Sequence, residues 1–342
     1  MKRILLFFIC ILCLSCSRKI NKNESNKSDE KIESKKVIGF SIDTLAIERW
    51  QRDLDVFTSR VREMDAEVIV QNAGNSIDEQ KRQLMYLAER NVDVLVILPK
   101  NAVSLTETIS KIRAKGIPVI SYDRLILNCD IDLYITINSE KVGELMAQGT
   151  MNRTKGNSWF CFLGPEEDFN MTLIKNGIDK TISGRGIKIN HLYYTNGWDY
   201  DLAFQEMSRL IADNRIPDAI ICGNDAVASS IIQAVKQFYR GKHICICGQD
   251  ADIAACQNII QREQDFTVYK PISKLAELTA EYAVNLANGK TISQLDIKDT
   301  INNGIGDIPV VWLEPQIVDS SNMDKVIIDS GFHSHNEVYR SN

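Results

Sequence analysis

The segment Val37–Gln71 reads VIGFSIDTLAIERWQRDLDVFTSRVREMDAEVIVQ and contains one complete strand–helix–strand unit. Its apolar runs Val37–Ile42 and Glu67–Gln71 predict strands, because nearly continuous Val and Ile are typical of parallel strands that are covered on both faces. Between them, Glu48–Met64 predicts a helix whose apolar side chains lie on one stripe. This unit is the building block of an α/β sheet with right-handed crossovers.

The same alternation continues along most of the chain. Further strands are predicted at Val92–Leu98, Pro118–Tyr122, Leu133–Ile137, Ser158–Leu163, Lys188–Tyr194, Ala219–Cys222, Ile244–Cys247 and Thr267–Tyr269. Helices are predicted at Ile77–Arg90, Val103–Lys115, Lys141–Arg153, Tyr200–Ala212, Ala226–Phe238 and Ser273–Ala287. Because these ten strands are too many for one small sheet, we predict an α/β protein with two doubly wound parallel sheets. A TIM barrel is the alternative, since eight such units also fit in ~250 residues.

Composition limits the class of protein. The 342 residues are 44% hydrophobic and 25% charged, which excludes a wholly disordered or collagen-like chain. The length is about twice the common domain size and favours two lobes. The net charge is −5, and no block of basic residues accompanies it, so we predict no nucleic-acid partner.

The N-terminus resembles a bacterial lipoprotein signal. Lys2 and Arg3 precede the apolar run Ile4–Leu14, which is shorter than the about 20 residues of a spanning helix. Ser15 and Cys16 end the run, and we expect cleavage before Cys16 and lipidation of its thiol. A plain secretory signal with an incidental cysteine is the alternative.

These features predict how the N-terminal part is organised. Residues 1–15 are the expected signal peptide, and residues 16–36 are the expected lipidated cysteine and flexible polar tether. We therefore expect a protein of the periplasm or cell envelope that is anchored to a membrane through Cys16.

Six cysteines follow the tether: Cys129, Cys161, Cys222, Cys245, Cys247 and Cys256. Most lie in apolar strand patterns, so we expect small buried hydrophobic side chains, although export would permit disulfides. None of the six forms a Cys-x-x-Cys pair. His333, His335 and Glu337 resemble a metal-ligand set, but we interpret them as part of a polar, partly frayed tail. We predict neither a metal site nor a cofactor.

Charged, amide and indole side chains follow many of the predicted strands. Arg49, Asp123 and Trp198 are examples, and ligands of open α/β sheets bind beyond the carboxyl ends of strands. Carboxylates accept hydrogen bonds from hydroxyls, cations donate to oxygens, and indole faces cover the C–H face of a sugar ring. The combination is typical of a site for a neutral polyol. Asp225, in contrast, is predicted to cap the helix that begins near Ala226.

No motif predicts an enzyme. A Gly-x-Ser-x-Gly elbow is absent, and no Gly-rich phosphate loop follows a strand. Glu166, Glu167 and Asp168 are adjacent, whereas the carboxylates of a glycosidase must flank one bond. We therefore predict a binding protein.

These residues lie in motifs that resemble the bacterial periplasmic D-xylose-binding proteins, which are type I sugar-binding proteins that serve ABC importers. The matching motifs include IGFSIDTLAIERWQRD, NVDVLVILPKN, ISYDRLI, GNDAVA, CGQDADIAACQ, TVYKPISKLAE and INNGIGDIP. The resemblance implies two Rossmann-like lobes that are joined by three crossover segments and hold a sugar between them. It places residues 37–138 and 271–307 in one lobe, and residues 139–270 and 308–342 in the other.

The resemblance also implies the sugar-binding residues. By motif they are Arg49, Trp50, Asp123, Arg124, Asp168, Asn170, Trp198, Asn224, Asp250 and Lys270. Phe169 departs from the family's Asp-Asn-Asn run. We therefore expect it to add apolar surface near the cleft and to change which arrangement of sugar hydroxyls the site prefers.

The implied function is that of a monomeric receptor that closes around a monosaccharide, with D-xylose favoured, and delivers it to an ABC permease without a chemical step. The alternative is a receptor that reports the sugar to a membrane sensor kinase. A sugar-responsive repressor is disfavoured, because a signal peptide and no helix-turn-helix precede Val37.

Overall fold

The computed structural model describes residues 34–339, except for the side chain of Glu48. The predicted signal peptide, Cys16 and almost all of the tether lie outside the described residues. None of the helices between residues 34 and 339 has the length and apolarity that crossing a bilayer requires.

The strands agree closely with the apolar runs of the sequence. They are β1 (Val37–Ile42), β2 (Glu67–Asn72), β3 (Val94–Ile97), β4 (Val119–Tyr122), β5 (Leu133–Ile137), β6 (Ser158–Leu163), β7 (Lys188–Tyr194), β8 (Ala219–Cys222), β9 (Cys245–Gln249), β10 (Phe266–Tyr269), β11 (Asp299–Asn302), β12 (Asp307–Leu313) and β13 (Gln316–Val318). The sequence patterns missed only the last three of these.

The helices alternate with most of the strands, and the sequence patterns predicted all of them except Phe169–Ile182, Ile253–Ile260 and His335–Val338. The helices are α1 (Glu48–Glu63), α2 (Ile77–Glu89), α3 (Thr106–Arg113), α4 (Ser139–Arg153), α5 (Phe169–Ile182), α6 (Tyr200–Ala212), α7 (Asp225–Phe238), α8 (Ile253–Ile260), α9 (Ile272–Ala287) and α10 (His335–Val338).

Two sheets organise these elements. The first has the order β11-β12-β5-β4-β3-β1-β2, and the second has the order β13-β10-β9-β8-β6-β7. All neighbouring strands are parallel except for the pairs β11–β12 and β10–β13 at the two sheet edges. The predicted α/β fold with two doubly wound sheets is confirmed, and the barrel alternative is wrong.

The chain passes between the two sheets three times. The crossings lie between β5 and α4, between β10 and α9, and between β12 and β13, as the sheet memberships and helix packing show. The predicted boundary after Asp307 is wrong, because β12 pairs with β5 in the first sheet, with Leu313 opposite Ile137. The apolar side chains of β12 complete the core of the first lobe, in which Ile308 and Val310 are buried.

The cysteines behave as the sequence predicts. All six cysteines between residues 34 and 339 are buried, and Cys129, Cys161, Cys222, Cys245 and Cys247 are free. Burial raises the pKa of the Cys161 thiol to about 12, so this thiol is unreactive near neutral pH.

The C-terminal segment differs from the predicted frayed tail. Ser334 caps α10 in a reciprocal arrangement with Glu337, and His333 is buried with its Nε2 2.8 Å from the carbonyl oxygen of Ala251. Residues 34–339 contain no cluster of His, Cys, Asp or Glu suited to a metal ion.

Candidate functional site

The carboxyl ends of the strands in both sheets meet at one small cavity. It encloses about 350 Å³ of empty space, counting the part that opens to solvent. All ten residues named from the sequence line it: Arg49, Trp50, Asp123, Arg124, Asp168, Asn170, Trp198, Asn224, Asp250 and Lys270. The structure thus brings together every predicted binding residue.

The cavity has four further lining residues that the sequence did not single out. They are Ile47, Ser139, Met171 and Gln249. Gln249 ends β9 and directly precedes Asp250, so its position at a strand end was a usable signal. Ile47 and Met171 are apolar residues beside helix starts, and nothing in their local sequence separates them from core residues.

The two lobes contribute alternating charges to the cavity. The first lobe supplies Arg49, Arg124 and Asp123, and the second supplies Asp168 and Asp250. Arg49 Nη2 lies 2.8 Å from Asp123 Oδ2, and its Nη1 lies 3.6 Å from Asp250 Oδ1 across the cleft. Arg124 Nε lies 2.8 Å from Asp168 Oδ2, also across the cleft. Because oppositely charged groups from the two lobes already contact each other, the lobes are in a closed arrangement.

Two further contacts complete this polar wall. Lys270 Nζ lies 2.5 Å from Asp250 Oδ1 within the second lobe. Asn170 Nδ2 donates to Asp123 Oδ1 at 2.9 Å across the cleft. The side chains are buried, so water screens these interactions little.

A layer of buried side chains supports the first-lobe residues from behind. Asp53 accepts hydrogen bonds from the hydroxyl of Tyr122 at 2.6 Å and from Arg49 Nη2 at 3.0 Å. Asp43 accepts one from Arg124 Nη1. These carboxylates hold the two guanidinium groups in fixed orientations, which lowers the entropy that ligand binding has to remove.

Burial and charge shift the pKa values of these carboxyl groups. Burial raises the pKa of Asp53 to about 6, against the opposing effect of Arg49. Burial also acts to raise the pKa of Asp123, but the cations Arg49, Lys270 and Arg124 together hold it below its usual value. Asp123 is therefore an ionised acceptor near neutral pH.

Three cavity residues have a backbone conformation that side chains with a Cβ rarely adopt. Asp123, Trp198 and Asp250 have φ values of 60°, 58° and 101°. Strain of this kind costs on the order of 1–3 kcal/mol per residue and concentrates at functional sites. Local bonds maintain it at Asp123, whose carbonyl oxygen accepts from Tyr134 Oη at 2.9 Å and Thr136 Oγ1 at 2.7 Å.

The two indoles are held in different ways. Trp50 is buried, and the guanidinium groups of Arg49 and Arg124 lie 4.1 and 5.4 Å from its ring centre. Trp198 is partly exposed and lies against Gly164, where a Cβ would come within 2.3 Å of the ring. Glycine at position 164 is therefore required for Trp198 to lie flat against the cavity wall.

Helix N-termini position the polar residues of the second lobe. Asp168 caps α5 by accepting from the backbone N–H of Asn170 at 3.1 Å. Asn224 caps α7 by accepting from the backbone N–H of Val227 at 2.9 Å. The predicted capping role of Asp225 is therefore wrong, because the neighbouring Asn224 is the cap.

Asp225 is instead part of a buried network. It accepts hydrogen bonds from Gln264 Nε2 at 2.9 Å and Thr267 Oγ1 at 2.8 Å. Burial, with a contribution from Asp250, raises the pKa of Asp225 to about 8.

Phe169 lies outside the cavity lining, unlike the sequence-based expectation of an apolar surface in the cleft. It begins α5 of the second lobe, and its ring packs against the first-lobe cluster that contains Leu125 and Ile126. Its ring therefore forms a contact between the two lobes.

Several polar atoms of the cavity lack a hydrogen-bond partner among residues 34–339. They are Asn170 Oδ1, Gln249 Oε1 and Arg49 Nε. A buried polar atom without a partner costs on the order of 1–3 kcal/mol. These atoms therefore indicate a ligand that both donates and accepts hydrogen bonds.

Comparisons with known proteins agree with this geometry. Residues 38–291 match the periplasmic binding protein domain family. The chain is 38% identical over 307 residues to the D-xylose-binding periplasmic protein of Haemophilus influenzae, covering 88% of this chain and 92% of that protein. It is 37% identical to the D-xylose-binding periplasmic protein of Escherichia coli, with the same coverage.

A solved structure shows the same architecture. The ABC transporter solute binding protein from Clostridium phytofermentans, determined with bound β-D-glucose, superposes with a TM-score of 0.81 at 26% identity, covering 89% of this chain and all of that one. The family match spans most of the chain, and the relatives match at nearly full length. These matches confirm the prediction of a non-enzymatic binding protein, and the chain belongs to the periplasmic binding protein domain family.

Proposed function

We propose that the protein is a lipid-anchored periplasmic receptor that binds a monosaccharide, with D-xylose favoured, and delivers it to an ABC sugar importer. One observation carries the proposal: ion-paired carboxylates and cations from both lobes, with two indoles, surround a single small cavity. The two D-xylose-binding relatives and the glucose-bound structural relative support it.

The polar wall suits an uncharged polyol. Its cations and anions balance one another, so a charged ligand would disturb buried ion pairs at a high cost. Sugar hydroxyls donate to Asp123, Asp250 and Asn170 Oδ1, and Arg49 and Lys270 donate to sugar oxygens. The face of Trp198 covers C–H groups of the ring.

The proposed cycle contains no chemical step. The lobes open and close at the crossover segments, and a sugar that contacts both lobes stabilises the closed state. Periplasmic binding proteins are a well-known example of such hinge closure. A micromolar Kd corresponds to about −8 kcal/mol, which several charge-assisted hydrogen bonds and one ring contact can supply.

Isothermal titration of the mature domain, residues 36–342, with xylose, arabinose, ribose, glucose and galactose tests the ligand. We expect saturable, micromolar binding of xylose. Binding of a different sugar would keep the receptor function and change its specificity. A folded protein that binds none of the five would contradict the proposal of a monosaccharide receptor.

Two genetic tests address the anchor and the partner. Replacing Cys16 by Ser should abolish incorporation of labelled palmitate and release the protein from the membrane fraction. Deletion of the gene should reduce uptake of the sugar. Unchanged uptake together with loss of sugar-induced transcription would instead favour the sensor-kinase partner.

A further inference from the structure

Arg52 extends from the first lobe to the C-terminal segment of the second lobe. It lies on α1, three residues after the cavity residue Arg49. Its Nη1 donates to the carbonyl oxygen of Phe332 at 2.5 Å, and its guanidinium carbon lies 4.2 Å from the centre of the Phe332 ring. Its Nη2 lies 3.4 Å from Nδ1 of His333. We call Arg52, Phe332 and His333 the clasp.

The C-terminal half of the clasp is fixed to the second lobe. The Phe332 ring meets Tyr269 of β10 edge-on, with ring centres 5.0 Å apart. Its neighbour His333 is buried, with Nε2 2.8 Å from the carbonyl oxygen of Ala251. Arg52 therefore contacts a firmly packed part of the second lobe, and lobe opening has to break this contact.

The clasp also contacts the backbone that positions a cavity carboxylate. Ala251 directly follows Asp250, and the two residues have φ values of 57° and 101°. Strained conformations persist only where the surroundings fix them, and the bond from His333 is one such constraint. Clasp formation and the orientation of Asp250 are thus mechanically linked.

None of the three clasp residues lines the cavity. We propose that Arg52 is a positioning residue that favours the closed arrangement and steadies the turn of Asp250, and so sets the affinity for sugar without touching it. The sugar readout rests on the proposed function, whereas the effect on lobe closure does not. The apparent Kd falls as the fraction of the binding-competent closed state rises.

Arg52→Met tests the proposal, because it keeps an apolar stem and removes the guanidinium. Arg60→Met is the matched control: Arg60 is on the same helix, but its Nη2 donates to Glu281 of α9 at 2.8 Å within the same lobe. The distance between the two lobes is measured in sugar-free protein by double electron–electron resonance. The spin labels are attached to cysteines introduced by the substitutions Val103→Cys and Asp201→Cys. Both positions are exposed, one on each lobe, and the native cysteines between residues 34 and 339 are buried.

In sugar-free protein we expect R52M to shift the label distances towards longer values, and R60M to leave them unchanged. In stopped-flow experiments with the sugar found by titration, R52M should raise the dissociation rate constant and the Kd about tenfold. R60M should stay within twofold. Arg52→Lys keeps a cation and a donor and should recover part of the loss, which a merely structural role would not predict.

Unchanged label distances in R52M would overturn the clasp, whether or not any of the tested sugars binds. Changed distances with an unaltered Kd would overturn the claim that the clasp sets affinity. Failure to bind any sugar, with distances changed as expected, would count against the proposed function alone. If R52M does not fold, Phe332→Leu provides the same measurements, because it keeps apolar contact with Tyr269 and removes the ring beneath the guanidinium.

Discussion

The two sides of the cavity are built differently. On the first-lobe side, Arg49 and Asp123 belong to a buried network that includes Asp53 and Tyr122. On the second-lobe side, Asp168 and Asn224 are helix caps. Changes on the first side therefore affect folding and binding together, whereas on the second side the structural and binding roles of a residue can be separated.

The largest effect should come from Arg49→Ala. It leaves Asp53 and Asp123 buried without their cation, and removing one partner of a buried pair costs about 3–5 kcal/mol. Urea denaturation should show this loss in the free energy of unfolding, and titration should show no sugar binding. Arg60→Ala is the control, because its ion pairs are partly exposed and worth less than about 1 kcal/mol. Equal denaturation midpoints for the two variants would contradict the description of the first-lobe side.

Trp198→Ala should weaken sugar binding about 10- to 100-fold, because the ring contributes both buried area and a face for C–H contacts. Since Trp198 is partly exposed, we expect only about 1–2 kcal/mol of lost stability. Trp312→Ala is the matched control: this indole packs edge-on against Tyr134, away from the cavity. It should destabilise the fold and leave Kd within twofold. The opposite pattern would place Trp198 in the core.

Asp53→Asn should change how stability depends on pH. The pKa of Asp53 is about 6 in the folded state and about 3.9 in the unfolded state. Between these values the folded protein keeps a proton that the unfolded chain has lost, so the free energy of unfolding falls as pH rises from about 4 to 6. The amide removes this contribution of about 2 kcal/mol. Its oxygen can still accept from Tyr122, and its NH₂ group takes the place of the unpaired Oδ1.

Denaturation curves at a series of pH values for wild type and D53N measure the effect. The D53N series should be flatter between pH 4 and 6, and the two proteins should run parallel above pH 7. Identical slopes between pH 4 and 6 would show that Asp53 is ionised throughout this range.

The smallest effect is expected from Asn224→Ser. Serine caps a helix about as well as asparagine, so the free energy of unfolding should change by less than about 0.5 kcal/mol. The side-chain amide of a cavity-lining residue is lost, and we expect about fivefold weaker sugar binding by titration. Asn224→Ala loses the cap as well and should cost about 1 kcal/mol more. A Kd for N224S equal to that of wild type would show that Asn224 is a cap only.

The fold could be predicted wherever a buried element appears in the sequence as a run of apolar residues. Strands such as β3, which is buried along its whole length, are apolar runs with clear limits. The pair β11–β12 was missed because it lies at a sheet edge. Since β11 is largely exposed, it has no apolar run, and only the hairpin in the folded structure shows that it pairs with β12. The boundary predicted after Asp307 was wrong for the same reason, because the sequence patterns did not reveal that β12 pairs with β5 in the first sheet.

The cavity was predictable where a side chain follows a strand and lies in a recognisable motif. Asp123 and Asp250 are of this kind. Supporting residues such as Asp53 were not, because Asp53 lies on the face of α1 and meets Tyr122 only after the sheet has formed. The contact of the Phe169 side chain with the first lobe could not be predicted either, since it depends on how closely the two lobes approach each other.

The six buried cysteines have a consequence for how the protein matures. Many exported domains rely on disulfides and need an oxidant before they are stable. Here the thiols of Cys129, Cys161, Cys222, Cys245 and Cys247 are free and packed as apolar side chains, so these five cysteines need no oxidation to reach the native state. The yield of folded receptor should therefore be the same under aerobic and anaerobic growth, and insensitive to loss of the enzymes that introduce disulfides.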